Sequence, residues 1–309
     1  MHIEIRERKK TRYYYLSHSA RVAGKVKKFR RYLGKNLTEK QITEGRERWE
    51  GIIYDQVEEY KKIGDPLHTV LADKDLEIID NLIEKAEIKI KHLTERNWLR
   101  FTELFAYDTN AIEGSTITAA EARKIIEKDI WPPTKTKQEI AETYGVAQAI
   151  KHLRTTNEHL TLELIKELHL IVFKNSKSFA GKFRKVEVVV ADSTGRVLHK
   201  GAPHNKIPDL LRELVGWYNL NKETYHPIVL AGVVHNQFEN IHPFQDGNGR
   251  VGRLLLNNIL LKHDLPPVNI ELINRKRYYQ SLQAYEKEGD LRPTIELILK
   301  EYQKLKKTL

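Results

Sequence analysis

A chain of 309 residues is long enough for two domains, and 40% hydrophobic content is that of an ordinary soluble protein. No stretch approaches 18 consecutive apolar residues, the first residues are charged where a signal peptide would be apolar, and cysteine is absent, which argues against a membrane-spanning helix and a disulfide framework and makes the cytoplasm the expected compartment. The net charge of +11 is concentrated: residues 1–35 hold 12 Lys and Arg against Glu4 and Glu7, a net of +10 that leaves +1 for the rest.

In chain order, residues 11–16 and 26–33 read as two strands joined through Ser19-Ala20-Arg21-Val22-Ala23-Gly24, a basic hairpin with Tyr13, Tyr14, Tyr15, Phe29 and Tyr32 set among its cations. Residues 6–35 are therefore a candidate nucleic-acid site, acting through phosphates and stacked bases. An acidic protein target, or a merely solvated basic edge, fits the same residues. Residues 37–63 and 73–99 carry long amphipathic patterns; Thr38 suits the first as an N-cap, Gly64-Asp65-Pro66 stops it, and Leu76, Ile79, Leu82 and Ile83 share a face of the second. A helix is expected over 101–112, and Thr118 with Glu121 spells a capping box for the next one. After the break at Trp131-Pro132-Pro133, helices are expected over 139–153, 161–173, 208–220, 227–240, 248–263, 275–288 and 293–307. Between them a β-branched run at 185–191, a turn at 192–195 and a return at 196–199 read as a β-hairpin.

The densest chemistry lies in His242-Pro243-Phe244-Gln245-Asp246-Gly247-Asn248-Gly249-Arg250-Val251-Gly252-Arg253, which runs into the apolar stretch 254–261. Glycines let backbone N–H groups turn toward an anion, and the helix start adds unpaired donors and partial positive charge. Arg250 and Arg253, three apart, offer forked guanidinium groups to phosphate oxygens. Asp246 suits magnesium, which takes one or two carboxylates plus substrate phosphates. His242 titrates near neutrality and can take a proton. No P-loop occurs, no Gly-x-Gly-x-x-Gly follows a strand, and His235, His242 and Asp246 lack the spacing of a zinc site.

Taken whole, the segment resembles the signature of the Fic family, His-x-Phe-x-Asp/Glu-Gly-Asn-Gly-Arg-x-x-Arg. The resemblance implies transfer of AMP from ATP to a Ser, Thr or Tyr hydroxyl of a protein. His242 would deprotonate the hydroxyl, Asp246 would hold Mg2+ between the α and β phosphates, and Gly247, Asn248 and Gly249 would form the anion nest. Arg250 and Arg253 would bind the β and γ phosphates, and Phe244 would anchor the loop. Upstream, Thr109-Asn110-Ala111-Ile112-Glu113-Gly114 is similar to the family's inhibitory motif, in which the glutamate, here Glu113, pairs with the second signature arginine; the same residues also read as an ordinary helix end. The hairpin is similar to the family's flap, which would lay Val197 and Leu198 over the nucleotide and dock the target as an added strand. Tyr278 and Tyr279 match a pair that lines the adenine pocket in relatives, although a core tyrosine with a neighbour at the surface fits equally. Glu286 stands where some relatives place an adenine-contacting asparagine, so that contact is not carried over.

The expected fold is mainly α: a Fic-like helical domain over 100–309 with a β-hairpin flap, and an N-terminal appendage over 1–99 made of the basic hairpin and long helices. The rival readings are an enzyme that removes AMP or transfers another nucleotide, and, from another class, a nucleic-acid-binding regulator that senses nucleotide. The resemblance also raises a homodimer, which no residue of the chain specifies.

Overall fold

The computed structural model describes residues 1–8, 10–22, 25–64, 93–191 and 197–308. Backbone contacts divide the chain into two compact units, Met1–Pro66 and Leu67–Leu309.

In the first unit, strands β1 (His2–Arg8), β2 (Thr11–Val22) and β3 (Lys25–Lys35) form an antiparallel sheet in that order, followed by helix α1 (Glu39–Gly64). The expected two-stranded hairpin is thus three-stranded. The alternation Ile3, Glu4, Ile5, Arg6 in β1 is period two, as a half-buried strand requires, but its apolar members are only two and are set among charges. One face of the sheet is covered by α1: Leu16, Ala20 and Phe29 pack on Ile53 and Val57, with Trp49 and Tyr60 at the edge of the cluster. α1 starts where expected, with the Thr38 hydroxyl accepting from the Gln41 N–H at 3.4 Å.

The described part of the second unit is mostly helical. Three of its helices begin with reciprocal capping boxes: α2 (Glu95–Ile112) at Thr94 and Asn97, α3 (Ala119–Lys128) at Thr118 and Glu121, and α4 (Lys137–Thr155) at Thr136 and Glu139. The long helix expected over 73–99 falls largely outside the described residues, and Thr94 starts a new helix before 99. A boundary at 99/100 would cut α2. The Thr161 hydroxyl caps α5 (Leu162–Phe173). Then come the short strands β4 (Val189–Ala191) and β5 (Val197–Lys200), paired antiparallel, and α6 (Ile207–Asn221). The turn expected at 192–195 lies outside the described residues.

α7 (Pro227–Ile241) and α8 (Asn248–Lys262) are buried almost all round, polar residues such as His235, Asn236, Gln237, Asn257 and Asn258 included. They pack on each other; α6 and the last two helices, α9 (Arg275–Glu288) and α10 (Arg292–Thr308), pack against α7, while α2, α4 and α5 pack against α8. The six-residue loop between two such rods has both ends fixed, and it is the loop that carries the signature. Among the described residues no helix is long and apolar enough to cross a membrane.

Candidate active site

The loop is built from the inside. His242 ends α7 in the left-handed region, φ 51° and ψ 61°, which turns its side chain out of the helix line. Phe244 is fully buried and stacks on His169, with ring centroids 3.8 Å apart. Asn248 closes the loop on itself: its side-chain oxygen accepts from the Phe244 N–H at 2.8 Å and its amide donates to the Phe244 carbonyl at 2.9 Å. Gly247 has φ 84°, and a Cβ there would lie 2.3 Å from the Phe173 ring, so only glycine fits. His169 Nδ1 accepts from the Gly181 N–H at 2.8 Å, which leaves Nε2 to donate to the Asp246 carbonyl at 3.1 Å. Burial pushes this imidazole down to about 4, so it stays a neutral strut. Buried Arg184 donates from Nε to the His242 carbonyl at 2.7 Å and from its other nitrogens to the carbonyls of Val186 and Ala202, tying the signature loop to the approach of the flap.

The two signature arginines diverge. Arg250 stacks over Phe173 at 4.5 Å and donates to Glu142 and to Asn110. Asp246 lies 3.5 Å from Arg250 and 2.8 Å from Lys177. Burial alone would raise the Asp246 carboxyl, but the two cations win and hold it below the usual range. Arg253 is 1% exposed and has a different set of partners, donating to the hydroxyl and carbonyl of Thr109, to the Tyr278 hydroxyl at 3.1 Å and to Glu113 at 2.7 Å. Glu113 caps the C-terminus of α2, and a Cβ added to Gly249 would sit 2.2 Å from its Oε1. The Glu113 carboxylate therefore rests on the first turn of α8, where unpaired N–H groups and the helix dipole favour an anion.

Beside this turn opens a cavity of about 570 Å³, lined among others by Glu113, Glu239, His242, Gly249, Arg275, Tyr279 and Glu286. His242 Nδ1 lies 3.3 Å from the Glu239 carbonyl, a contact that leaves Nε2 as the free base. Burial first, then the neighbouring His199, pushes His242 down to about 4, so it is neutral at physiological pH. Glu239 is the opposite case: burial pushes its carboxyl up to about 8 against the pull of Arg253. A neutral base, an anion-favouring helix start and a roomy cleft are together suited to moving a proton off a hydroxyl next to a bound phosphate.

Of the expected site residues, Glu113, His242, Gly249, Tyr278 and Tyr279 line the cavity. Asp246, Gly247, Asn248, Arg250, Arg253 and Thr109 stand behind it as the scaffold described above. Tyr278 is 2% exposed, with its hydroxyl 3.1 Å from His235 Nε2. Val197 is 55% exposed and outside the cavity, and Leu198 follows it on β5. The flap's contribution comes instead from Val190 and its cross-strand partner His199. His199 also bonds Glu286 at 2.8 Å, which joins β5 to α9. Sequence reasoning missed Arg184, His169, Lys177, Glu239 and His199. Glu239 is the one with a local signal, a lone carboxylate in an apolar helix three residues before His242.

Residues 159–260 match the Fic/DOC family. The chain is 34% identical over 198 residues to the protein adenylyltransferase Fic of Nematostella vectensis, covering 62% of this chain and 45% of that one. It is 32% identical over 244 residues to the protein adenylyltransferase fic-1 of Caenorhabditis elegans, covering 76% of this chain and 46% of the relative. The chain thus spans somewhat less than half the length of these curated relatives. Among solved structures, Fic-1 (aa134–508) from C. elegans is similar with a TM-score of 0.64 at 27% identity, over 87% of this chain and 85% of that one.

Proposed function

The chain carries a Fic/DOC-family domain, and on that premise we propose that it is a protein adenylyltransferase held in a resting state by Glu113. The observation that carries this reading is the neutral His242 on a cavity that also reaches the N-terminal turn of α8. A target hydroxyl gives its proton to His242 Nε2 as its oxygen bonds the α-phosphorus of ATP. The bond from that phosphorus to the β-phosphate oxygen breaks, and pyrophosphate leaves. Arg253 and the α8 amides are the groups suited to the phosphates, and the cleft beside Tyr279 and Arg275 has the apolar and cationic lining a nucleotide base and ribose need.

Magnesium fits one residue. The Asp246 side chain is 45% exposed, charged, and already paired to cations at 2.8 and 3.5 Å. Among the described residues no group of three His, Cys, Asp or Glu could hold a metal by itself, which suits an ion shared with substrate phosphates. When bound, Mg2+ would offset phosphate charge; Asp246 would hold it, and Lys177 would give way.

Glu113 supports the resting state because its carboxylate takes up both Arg253 and the place over Gly249. The same carboxylate suits a reaction in reverse, removal of AMP, so ATP, the other nucleoside triphosphates and an AMP-modified target should be compared. A cytoplasmic homodimer belongs to the same proposal, and sedimentation equilibrium tests the dimer. The deciding experiment is labelling from α-phosphate-labelled ATP with magnesium by the parent, Glu113→Gly and Glu113→Gly/His242→Ala proteins. The expected result is a gain in the first variant that the second abolishes. Label retained without His242 would end the proposal.

A further inference from the structure

We propose that the open face of the β1-β2-β3 sheet binds double-stranded DNA through its phosphate backbone. Cross-strand pairing decides which side chains share that face. Arg6 lies opposite Tyr13, Glu4 opposite Tyr15, Tyr15 opposite Tyr32, and Ser17 opposite Arg30. The other face, with Leu16, Ala20 and Phe29, is covered by α1. The open face therefore presents Arg6, Arg8, Arg21, Lys28 and Arg30, all exposed, around a cluster of three tyrosines. Glu4 is its one carboxylate among the described residues, and it is already bound by Lys28 at 2.6 Å and Arg6 at 2.9 Å.

The charge is segregated as well as large. Residues 1–35 carry +10, whereas α1 beneath them holds seven acidic and five basic residues. A face with six cations, Lys35 opposite Tyr13 being the sixth, and one acid needs a ligand whose negative charge is dense and regular. A duplex, with one charge per roughly 1.7 Å of axis, is such a ligand; a protein surface carries carboxylates far more sparsely. The tyrosines favour duplex over single strand. The Tyr15 ring is engaged by the Arg30 and Arg6 guanidinium groups at 4.6 and 5.6 Å, and Tyr15 and Tyr32 are tilted by 50°. Rings so occupied do not form a flat platform for splayed bases. They hold the guanidinium groups in place, which reduces the side-chain freedom lost when phosphates bind. A pair of antiparallel strands is also of a size to enter a major groove.

The test uses the full chain and fluorescence anisotropy with labelled 20-base-pair DNA and RNA duplexes and a 20-nucleotide single strand, across a series of KCl concentrations. Five phosphate contacts predict a slope of log K against log salt of about −4.5, so raising salt from 50 to 200 mM should weaken binding by several hundredfold. Lys28→Glu/Arg30→Glu should flatten the slope by about 2. Glu4→Gln, which frees Lys28 and Arg6, and Arg30 at 3.7 Å, should tighten binding severalfold; this gain also guards against misreading an unfolded variant. The RNA duplex, whose major groove is too deep and narrow for a pair of strands, should bind more weakly than DNA, and RNA held more tightly than DNA would overturn the proposal. A slope shallower than about −2, unchanged affinity in both variants, a single strand held tenfold tighter than either duplex, or displacement of the duplex by poly-glutamate at equal charge would each overturn the proposal. None of these outcomes bears on ATP labelling, which depends on residues of the other unit.

Discussion

Removing the Glu113 carboxylate should switch labelling on, and the structure bounds by how much. The Arg253 side chain is 2% exposed and that of Glu113 27%, with 2.7 Å between their closest atoms. Breaking a fully buried pair by deleting one partner costs roughly 3–5 kcal/mol. Two facts lower that figure: Glu113 is partly wet, and Arg253 keeps Thr109 twice and Tyr278 once. A charged hydrogen bond in such a setting is worth about 1.5–3 kcal/mol. If an incoming phosphate must displace Glu113, that is the penalty lifted by Glu113→Gly, and it corresponds to about a 10- to 150-fold higher rate. Glu113→Gln, which keeps the shape and loses the charge, should fall between. The assay is the initial rate of self-labelling from α-phosphate-labelled ATP, with Glu113→Gly/His242→Ala as the blank. Equal rates in parent and Glu113→Gly, with a melting temperature lowered in the variant, would show that the pair only supports the fold.

The other expectations concern pH and fit. His242 is held at about 4, so labelling should be flat in pH from about 5.5 to neutrality and fall as pH drops through 4; a rise centred near 6.5 would mean the imidazole is not desolvated as described. Because the folded values of His242, His169 and His235 are about 4, 4 and 3, below the unfolded 6.5, the unfolded chain takes up protons first as pH falls from 6.5, and thermal stability should decline over that window. Glu239 has the opposite sign: its folded value of about 8 exceeds the unfolded 4.5, so the folded chain keeps a proton the unfolded one has lost, and stability falls as pH rises through that range. Glu239→Gln should therefore lose less melting temperature between pH 6 and 8.5 than the parent, and parallel curves would contradict the assignment. Gly247→Ala combines a left-handed φ with a collision against Phe173, together about 2–4 kcal/mol, and should lower the melting temperature by roughly 5–15 °C. An unchanged melting temperature would mean the loop is not packed as described.

The helices of the second unit were legible because their signals are local. Thr118 with Glu121 is a capping box in four letters, and the apolar run after Arg253 can only be buried. The first strand was not, because Ile3 and Ile5 contribute one half-turned stripe among charges, and the sheet that completes them is assembled from residues up to Lys35. Flap placement also escaped. A shift of register between Val190 and Ala191 sets which strand face meets the cavity, and no residue type announces it.

What sequence order hides most is how the signature's charges are shared out. Two arginines three apart look equivalent on a helix, yet their partners lie more than 100 residues away and differ: Glu142 and Asn110 for Arg250, Thr109 and Glu113 for Arg253. Arg250 is also tied to Asp246, which Lys177 holds from its other side, so releasing Arg250 would disturb the loop that carries His242. Arg253 differs, because one of its partners is a partly exposed carboxylate at the C-cap of α2, outside the helix proper. Of the two guanidinium groups it is therefore Arg253 that can exchange a protein carboxylate for a phosphate. That asymmetry, set by burial of the partners and not by the arginines themselves, is why we propose control of this site at Glu113 and not at Glu142.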